Sequence, residues 1–278
     1  MKRHTIKSTL VIGLALFALP IAQASNTNVS DEAKARIEPV LKKSGGELTY
    51  FEGPAGMIGV GVSFVNGRQM VVYATPDGST VFSGVAIDVE SGKNLSNADL
   101  QRLPPPNYAG LVEMVADSGA QTGRPITMMT EGNPDSSNHY YVFVDPKCPY
   151  CHKTYDTFLK LLSDGHDLAV HYIPVGILGP ESENLAKEIV GMPDGDGLDL
   201  IRKLVRREPH LSNSDAIAAG DTNHGRNIAL FRQLQFDAVP VVISDVSGNY
   251  NVRRGAVTAE ALEQELQVAK IQKLAMAK

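Results

Sequence analysis

The chain of 278 residues holds two cysteines, and both stand in one short motif, Cys148-Pro149-Tyr150-Cys151. A disulfide between them would close a loop that is too short to restrain the unfolded chain appreciably, so the pair is of little structural use. Two neighbouring thiols can instead form, break and transfer a disulfide through attack by a thiolate. The motif therefore indicates thiol–disulfide exchange.

The elements around the motif are predicted to place its first thiol at the start of a helix. Residues 139–144 (HYYVFV) have the composition of a strand, and after the motif apolar residues recur at helical spacing. Unpaired N–H groups and the helix dipole stabilise a thiolate at such a position. We therefore expect Cys148 to be the exposed attacking thiol and Cys151 to be the less accessible resolving thiol. Pro149 suits the first helical turn, where its missing N–H would have no partner.

Three other interpretations of the motif remain. A zinc site usually needs four ligands, and beyond this CxxC the sequence offers only His166 and His171, five positions apart. Cys148 to His152 also fits C-x-x-C-H, the attachment motif of c-type haem. The third interpretation is a purely structural bridge, which the short loop disfavours. A redox pair needs neither a metal nor a cofactor, and we predict none.

The first 24 residues have the composition of a secretory signal peptide. Lys2, Arg3 and Lys7 precede an apolar run from Leu10 to Ile21, and Ala22-Gln23-Ala24 supplies a small-x-small cleavage site. A membrane-spanning helix needs roughly 20 apolar residues, and this run is shorter. We expect export, with cleavage after Ala24.

The composition limits the class of protein further. The net charge of −5 argues against nucleic acid as a partner, because phosphates favour a basic surface. Beyond the leader, no stretch is long and apolar enough to span a bilayer. The remaining chain is longer than one typical domain and suits one large or two modest domains.

Residues 25–93 are predicted to form a small α+β module. Ser30–Leu41 has the pattern of an amphipathic helix with Ser30 as its N-cap. Strands are predicted at 58–65, 69–74 and 80–88, separated by Asn66-Gly67 and Asp77-Gly78, which are strong hairpin signals. So small a sheet buries little apolar area and leaves its edges unpaired. Dimerisation through an edge would solve both problems.

Residues 94–128 look like a linker, and residues 129–278 look like an α/β domain. The linker contains Pro104-Pro105-Pro106, which fits either one long broken helix or two short ones. Residues 121–138 are polar and are expected to form a loop that leads into the second domain. After the motif the pattern predicts a strand at 168–175, mainly helix at 182–236, a strand at 239–244, a pairing strand at 250–253, and a last helix from Thr258 to about Lys273.

The segment YYVFVDPKCPYC (residues 140–151) resembles the thioredoxin-fold domain of the periplasmic disulfide isomerase family, of DsbC/DsbG type. The resemblance covers most of the chain after the leader. It is carried by FEGPAGM at 51–57, TPDG at 75–78, the segment 84–97, VGI at 175–177 and PES at 180–182. The Pro-Tyr dipeptide and the N-terminal module are most similar to the DsbG branch.

The resemblance implies a cystatin-like α+β dimerisation module, joined by a helical linker to an α/β thioredoxin-fold domain with a helical insertion. It implies a periplasmic, V-shaped homodimer that receives electrons from a membrane thiol reductase of DsbD type. Cys148 and Cys151 would form the redox-active disulfide. Pro149, Tyr150, Val239 and Pro240 would contact the client protein, with Pro240 in the cis form facing the CxxC.

Two positions depart from the family pattern. Val239 stands where the family usually has Thr before the proline. The resemblance therefore does not fix the reduction potential of the cysteine pair, and a more oxidising protein stays open. Many thioredoxins have a buried carboxylate six positions before the first Cys, and here that position is Val142, so we expect no such proton acceptor. His152 is the nearest titratable group after the motif and is expected to be an exposed helix residue.

The sequence therefore predicts an enzyme that isomerises or reduces disulfides in exported proteins, with cysteine sulfenic acids as a further class of target. Two alternatives stay open. One is a net oxidant that donates its own disulfide to clients. The other is a chaperone-like binding dimer in which the thiols are incidental.

Overall fold

The computed structural model describes residues 29–118, 123, 125–193 and 195–276. The expected signal peptide and its cleavage site after Ala24 lie outside these residues. Within the described ranges, no helix is both long enough and apolar enough to cross a membrane.

The first unit of the chain is one helix packed on a four-stranded antiparallel meander. Its strands follow one another in the order β1-β2-β3-β4. Ser30 caps the helix as predicted, because its side chain accepts a hydrogen bond from the Ala33 N–H at 3.2 Å. The elements are α1 (Asp31–Leu41), β1 (Glu47–Glu52), β2 (Ile58–Ser63), β3 (Gln69–Ala74) and β4 (Val81–Ser83), with short 3-10 turns at Lys42–Ser44 and Pro54–Gly56.

The predicted hairpin signals are confirmed, but two strands differ from the prediction. At the first turn, the Gly67 N–H donates to the Phe64 carbonyl at 2.9 Å, and Gly67 has the positive φ of 79° that glycine adopts without strain. β1 was not predicted as a separate strand. β4 is three residues long rather than the predicted 80–88, because it pairs only with the end of β3.

Within the described part of residues 94–128 lie two short helices, α2 (Leu95–Leu100) and α3 (Tyr108–Ala116), rather than one long helix. The three prolines at 104–106 lie between them. Proline has no backbone N–H to donate to a helix, so the helical hydrogen-bond ladder cannot run through this triplet.

The second unit is a five-stranded mixed sheet with helices on both faces. The strand order is β5-β7-β6-β8-β9; β6 and β7 run parallel, and the other neighbours are antiparallel. The strands are β5 (Met129–Gly132), β6 (Asn138–Val144), β7 (Ala169–Pro174), β8 (Val241–Val246) and β9 (Asn249–Arg254). The helices are α4 (Pro149–Ser163), α5 (Pro180–Gly191), α6 (Asp196–Val205), α7 (Ser214–Gln233) and α8 (Ala259–Met276).

Strand β6 is the central strand, which explains its continuous apolar sequence. Tyr140 and Val142 face the core beneath α4, and Tyr141 and Phe143 face the core beneath α3 and α7. A strand that is buried on both faces loses the polar–apolar alternation of a half-exposed strand. β6 ends at Val144, so its carboxyl end delivers the chain directly to the CxxC motif.

The prediction of a loop at 121–138 is wrong for Met129–Gly132, which forms the edge strand β5 against β7. The strand is short and its residues alternate between exposed and half-buried positions. Edge strands of this kind carry polar side chains, so their composition resembles that of a loop.

The two units contact each other through the Asn66-Gly67 turn. The Asn66 Nδ2 donates to the Gln235 carbonyl at 2.8 Å, and Arg254 donates to the Asn66 carbonyl at 3.2 Å. Gln235 in turn donates to the Ser44 carbonyl at 3.1 Å. On the side of the second unit, these contacts involve Gln235, which precedes β8, and Arg254, which is the last residue of β9.

Candidate functional site

The two cysteines lie at the junction between β6 and α4. Cys148 is the N-cap residue of α4, with φ −78° and ψ 117°, and Pro149 occupies the first helical turn as predicted. Cys151 lies within that first turn, and the helix ladder begins with a bond from the His152 N–H to the Cys148 carbonyl at 3.1 Å. Both side chains are free thiols. The structure therefore has the strand–CxxC–helix arrangement that the sequence predicted.

The expectation that Cys148 is exposed is wrong. Cys148 is 5% exposed and Cys151 is 3% exposed, so both thiols are buried. The Cys148 Sγ lies 3.8 Å from the Val239 carbonyl oxygen, which belongs to the loop that leads into β8. That loop is distant in sequence, and its packing against the N-terminus of α4 covers the sulfur.

The structure brings the other predicted site residues to the same place. The Val239–Pro240 peptide bond is cis, as predicted. Pro240 is buried, and its carbonyl accepts a hydrogen bond from the Gly255 N–H at 2.9 Å. Pro149 and Tyr150 are exposed beside the thiols, with Tyr150 at 59%. An exposed aromatic next to a buried thiol offers an apolar surface to an approaching polypeptide.

Asp145 is a site residue that the sequence analysis missed. Its side chain is fully buried, and its backbone N–H donates to the Cys151 Sγ at 3.4 Å. Its carboxylate accepts hydrogen bonds from the Lys147 N–H at 2.8 Å, the Leu178 N–H at 2.9 Å and the Ser182 hydroxyl. The position six before Cys148 is the buried, apolar Val142, as the sequence indicated, but Asp145, three positions before Cys148, places a buried carboxylate near the motif. In the sequence, an aspartate placed between an apolar strand and the CxxC was the signal that could have identified Asp145 as a site residue.

The surroundings of Cys151 keep its sulfur protonated. Burial raises the pKa of the Cys151 thiol well above its ordinary value, because the thiolate loses its hydration. The Asp145 N–H acts in the opposite direction by donating to the sulfur. The neighbouring Cys148 and the Asp145 carboxylate both raise the pKa further. Cys151 is therefore a neutral thiol at physiological pH.

His152 is half-buried rather than exposed as expected. Its Nε2 lies 2.7 Å from the Pro146 carbonyl oxygen, which requires that this nitrogen carry the proton. The ring borders a small cavity behind Cys151, between α4 and the sheet. His152 therefore braces the loop before the motif and does not contact the Cys148 sulfur.

Within the described residues, no group of three or more His, Cys, Asp or Glu side chains is placed to hold a metal ion. His171 lies on β7, where its Nε2 is 3.0 Å from the Nδ1 of His139 and its Nδ1 is 2.9 Å from the Thr130 hydroxyl. His171, one of the two histidines that the zinc interpretation invoked, is thus part of a separate cluster on the sheet.

Comparison with known proteins gives consistent matches. A family model described as thioredoxin-like domain matches residues 129–270. The thiol:disulfide interchange protein DsbG of Pseudomonas aeruginosa is 30% identical over 186 residues, which cover 67% of each chain. DsbG of Escherichia coli K12 is 26% identical over 168 residues, covering 59% of this chain and 62% of that one.

Among solved structures, Proteus mirabilis ScsC in a transitional conformation matches with a TM-score of 0.45 and 20% identity, covering 59% of this chain and 79% of that one. Similarity at this level supports no argument about function.

Proposed function

Because this chain belongs to the thiol:disulfide interchange proteins of DsbC/DsbG type, a family of enzymes with a thioredoxin-like domain, we propose that it isomerises or reduces disulfides in exported proteins. The observation that carries this proposal is the dithiol pair at the start of α4, with the Val239–Pro240 loop against Cys148. Cysteine sulfenic acids are a second class of target for the same attacking sulfur.

In the proposed reaction, the Cys148 thiolate attacks one sulfur of a client disulfide. A bond forms between Cys148 and that sulfur, and the other client sulfur leaves as a thiolate. A second client thiolate can then attack and release Cys148, which rearranges the client without net transfer of electrons. Alternatively, Cys151 attacks the Cys148 sulfur, so that the client leaves reduced and the Cys148–Cys151 disulfide forms. A membrane thiol reductase of DsbD type would then return two electrons.

Client binding is proposed for the residues that surround the buried sulfur. Pro149 and Tyr150 offer exposed apolar surface on one side of Cys148, and Val239 and Pro240 lie on the other. A client in extended conformation can pair with backbone groups of such a loop while its side chains contact the apolar surface. The burial of Cys148 restricts attack to a sulfur that enters between these two sides.

Residues 25–93 are proposed to form a cystatin-like dimerisation module, and residues 94–128 its helical linker. Strand β4 is at the edge of the sheet, and apolar side chains on and after it are open to solvent: Phe82 is 51% exposed and Val89 is 94% exposed. An exposed apolar edge strand favours pairing with a second copy. We propose that the homodimer forms here, in the periplasm, after cleavage behind Ala24.

The dimer is tested by light scattering on the double variant Phe82→Glu/Val89→Glu. We expect a monomer of about half the mass of the wild-type particle, because two buried carboxylates would face their copies across the interface. Leu211→Glu is the matched control, since Leu211 is 92% exposed but lies in the second unit. A double variant that keeps the wild-type mass would contradict the proposed interface.

The catalytic proposal is tested by trapping. Cys151→Ala keeps the attacking thiol but removes the resolving one, so mixed disulfides with clients should accumulate and be visible on a non-reducing gel. Cys148→Ala should form none. If Cys148→Ala rescues a scrambled disulfide protein as well as the wild type does, the chain acts as a chaperone-like binder instead. A pair that rests as a disulfide in the cell would indicate a net oxidant.

A further inference from the structure

The sheet edge that carries the CxxC motif also carries the loop that follows β7. β6 and β7 are parallel neighbours, so both strands end at this edge, and the antiparallel strand β8 begins there. The strand order β7-β6-β8 therefore places the loop after β7 on one side of the motif and the Val239–Pro240 loop on the other. Adjacent strands lie about 4.8 Å apart, so the ends of β7 and β8 are roughly 10 Å apart, with the motif between them.

The loop after β7 is fastened to the segment that precedes the motif. The Val175 N–H donates to the Val144 carbonyl at 2.9 Å, and the Leu178 N–H donates to the Asp145 carboxylate at 2.9 Å. The Ser182 hydroxyl donates to the same carboxylate. These three bonds hold the backbone of Leu178 in a fixed place beside the motif. A loop held on a rigid scaffold in this way is suited to present a binding residue.

A glycine sets the path of this loop. Gly176 is buried and has a positive φ of 55°, and a Cβ atom on it would lie 2.6 Å from the Ser182 carbonyl oxygen. The next side chain, that of Ile177, packs against the core beneath α3 and α7. The turn thus directs residue 177 inward and leaves Leu178 on the outer surface of the loop.

The surface beside the motif on this side is apolar. Leu178 is 57% exposed although its backbone is fixed, and Tyr150, within the motif, is 59% exposed. The charged side chains of the two segments, Lys147 and Glu181, form an ion pair, so their charges offset each other. An exposed apolar surface beside a reactive group is suited to contact an apolar side chain rather than a charged one.

We propose that Leu178 is a specificity-determining residue of the client site, which contacts a large apolar side chain next to the client cysteine that Cys148 attacks. This inference rests on the proposed function and deepens it, because it names the class of client segment that the site prefers. An extended client that pairs with the backbone of Val239 passes the motif with its other side toward the loop after β7. Leu178 is the exposed apolar side chain on that loop.

The size of the effect follows from the exposed area of Leu178. A leucine side chain that passes from full exposure to full burial favours association by roughly tenfold to a hundredfold. Leu178 has a little more than half of its surface open to solvent. A client that covers it should therefore be captured roughly fivefold to tenfold faster.

The test measures the capture of two peptide disulfides by the Cys151→Ala variant, which cannot resolve the product. Each is a symmetrical disulfide of a peptide with one cysteine and with lysines at both ends. The two residues on each side of the cysteine are leucine in one peptide and serine in the other. Cys148 forms a bond to one peptide sulfur, the peptide S–S bond breaks, and the other peptide leaves as a thiolate that takes up a proton from water. Mass spectrometry follows the mixed disulfide over time.

We expect the leucine peptide to be captured faster than the serine peptide. Leu178→Ser, added to Cys151→Ala, should reduce the ratio of the two rate constants about fivefold to tenfold. Leu178→Met keeps a large apolar side chain and should hold the ratio within about twofold. Circular dichroism and thermal melting establish that each variant is folded.

Leu274→Ser is the matched control, because Leu274 is 60% exposed but lies far along α8. That helix starts shortly after β9 ends at the motif edge, and Leu274 is roughly 22 Å along it from its first residue. We expect the control to leave the ratio within about twofold. A fall as large as that in Leu178→Ser would assign the preference to general surface hydrophobicity and overturn the inference.

Two further results would overturn the inference while leaving the proposed function intact. One is equal capture of the leucine and serine peptides by the Cys151→Ala variant, which needs no change at Leu178. The other is an unchanged ratio in folded Leu178→Ser. If neither peptide is captured, attack by Cys148 itself is refuted, and the proposed function fails together with the inference.

Discussion

Asn227 on α7 is a buried amide that joins this helix to two other segments of the chain. Its Oδ1 accepts from the Thr127 N–H at 3.0 Å, and its Nδ2 donates to the carbonyl oxygens of Thr127 and Pro174, each at 3.0 Å. The side chain is fully buried. Pro174 is the last residue of β7, so the Asn227 amide holds α7 against the carboxyl end of this strand. The CxxC motif follows the carboxyl end of the neighbouring parallel strand β6.

Replacement of Asn227 by Ala should lower the free energy of unfolding by about 4–5 kcal/mol. Three hydrogen bonds at roughly 1 kcal/mol each contribute about 3 kcal/mol. Pro174 is buried, so water cannot readily replace the partner that its carbonyl loses, and an unsatisfied buried group adds roughly 1–2 kcal/mol. For a domain of this size the melting temperature should fall by roughly 8–20 °C.

Urea unfolding followed by far-UV circular dichroism on the reduced protein measures this loss. Asn223→Ala is the matched control, because Asn223 lies one turn earlier on α7 and makes a single bond, from its Nδ2 to the Val190 carbonyl at 3.2 Å. We expect about 1 kcal/mol for the control. Equal losses in the two variants would refute the reasoning, as would unchanged amide exchange at Thr127 in Asn227→Ala.

Three further predictions follow from single side chains. Burial and the neighbouring His139 lower the pKa of His171 to about 4, so the folded protein disfavours the imidazolium and loses stability as the pH falls from about 6.5 toward 4. Partial exposure reduces this to about 2 kcal/mol between pH 7.5 and 4.5, and urea unfolding of His171→Gln should lack that part of the pH dependence. Phe158→Ala should cost about 3–5 kcal/mol in the same assay, because the ring is fully buried, 5.1 Å from that of Tyr140. Ser30→Ala should cost about 1 kcal/mol of the first unit's stability, measured by thermal melting, since α1 loses its capping bond.

Much of the fold could be predicted because its signals are local. The cap at Ser30, the glycine turn at Gly67 and the buried strand β6 each depend on residues within a few positions of one another. Elements with weak local signals were misjudged. Edge strand β5 has the polar composition of a loop, and β4 ends at Ser83, opposite Val72, although its sequence stays apolar beyond that point and β3 extends back to Gln69.

The chemistry of the CxxC pair could be inferred from local sequence, since a CxxC after an apolar strand and at the start of a helix depends only on neighbours along the chain. How the two sulfurs are held depends on tertiary packing. Cys148 is covered by the Val239–Pro240 loop, and Asp145 is fixed beside Cys151 through Leu178 and the Ser182 hydroxyl. Burial and charge depend on which distant segments pack around a group, and spacing along the chain does not encode that.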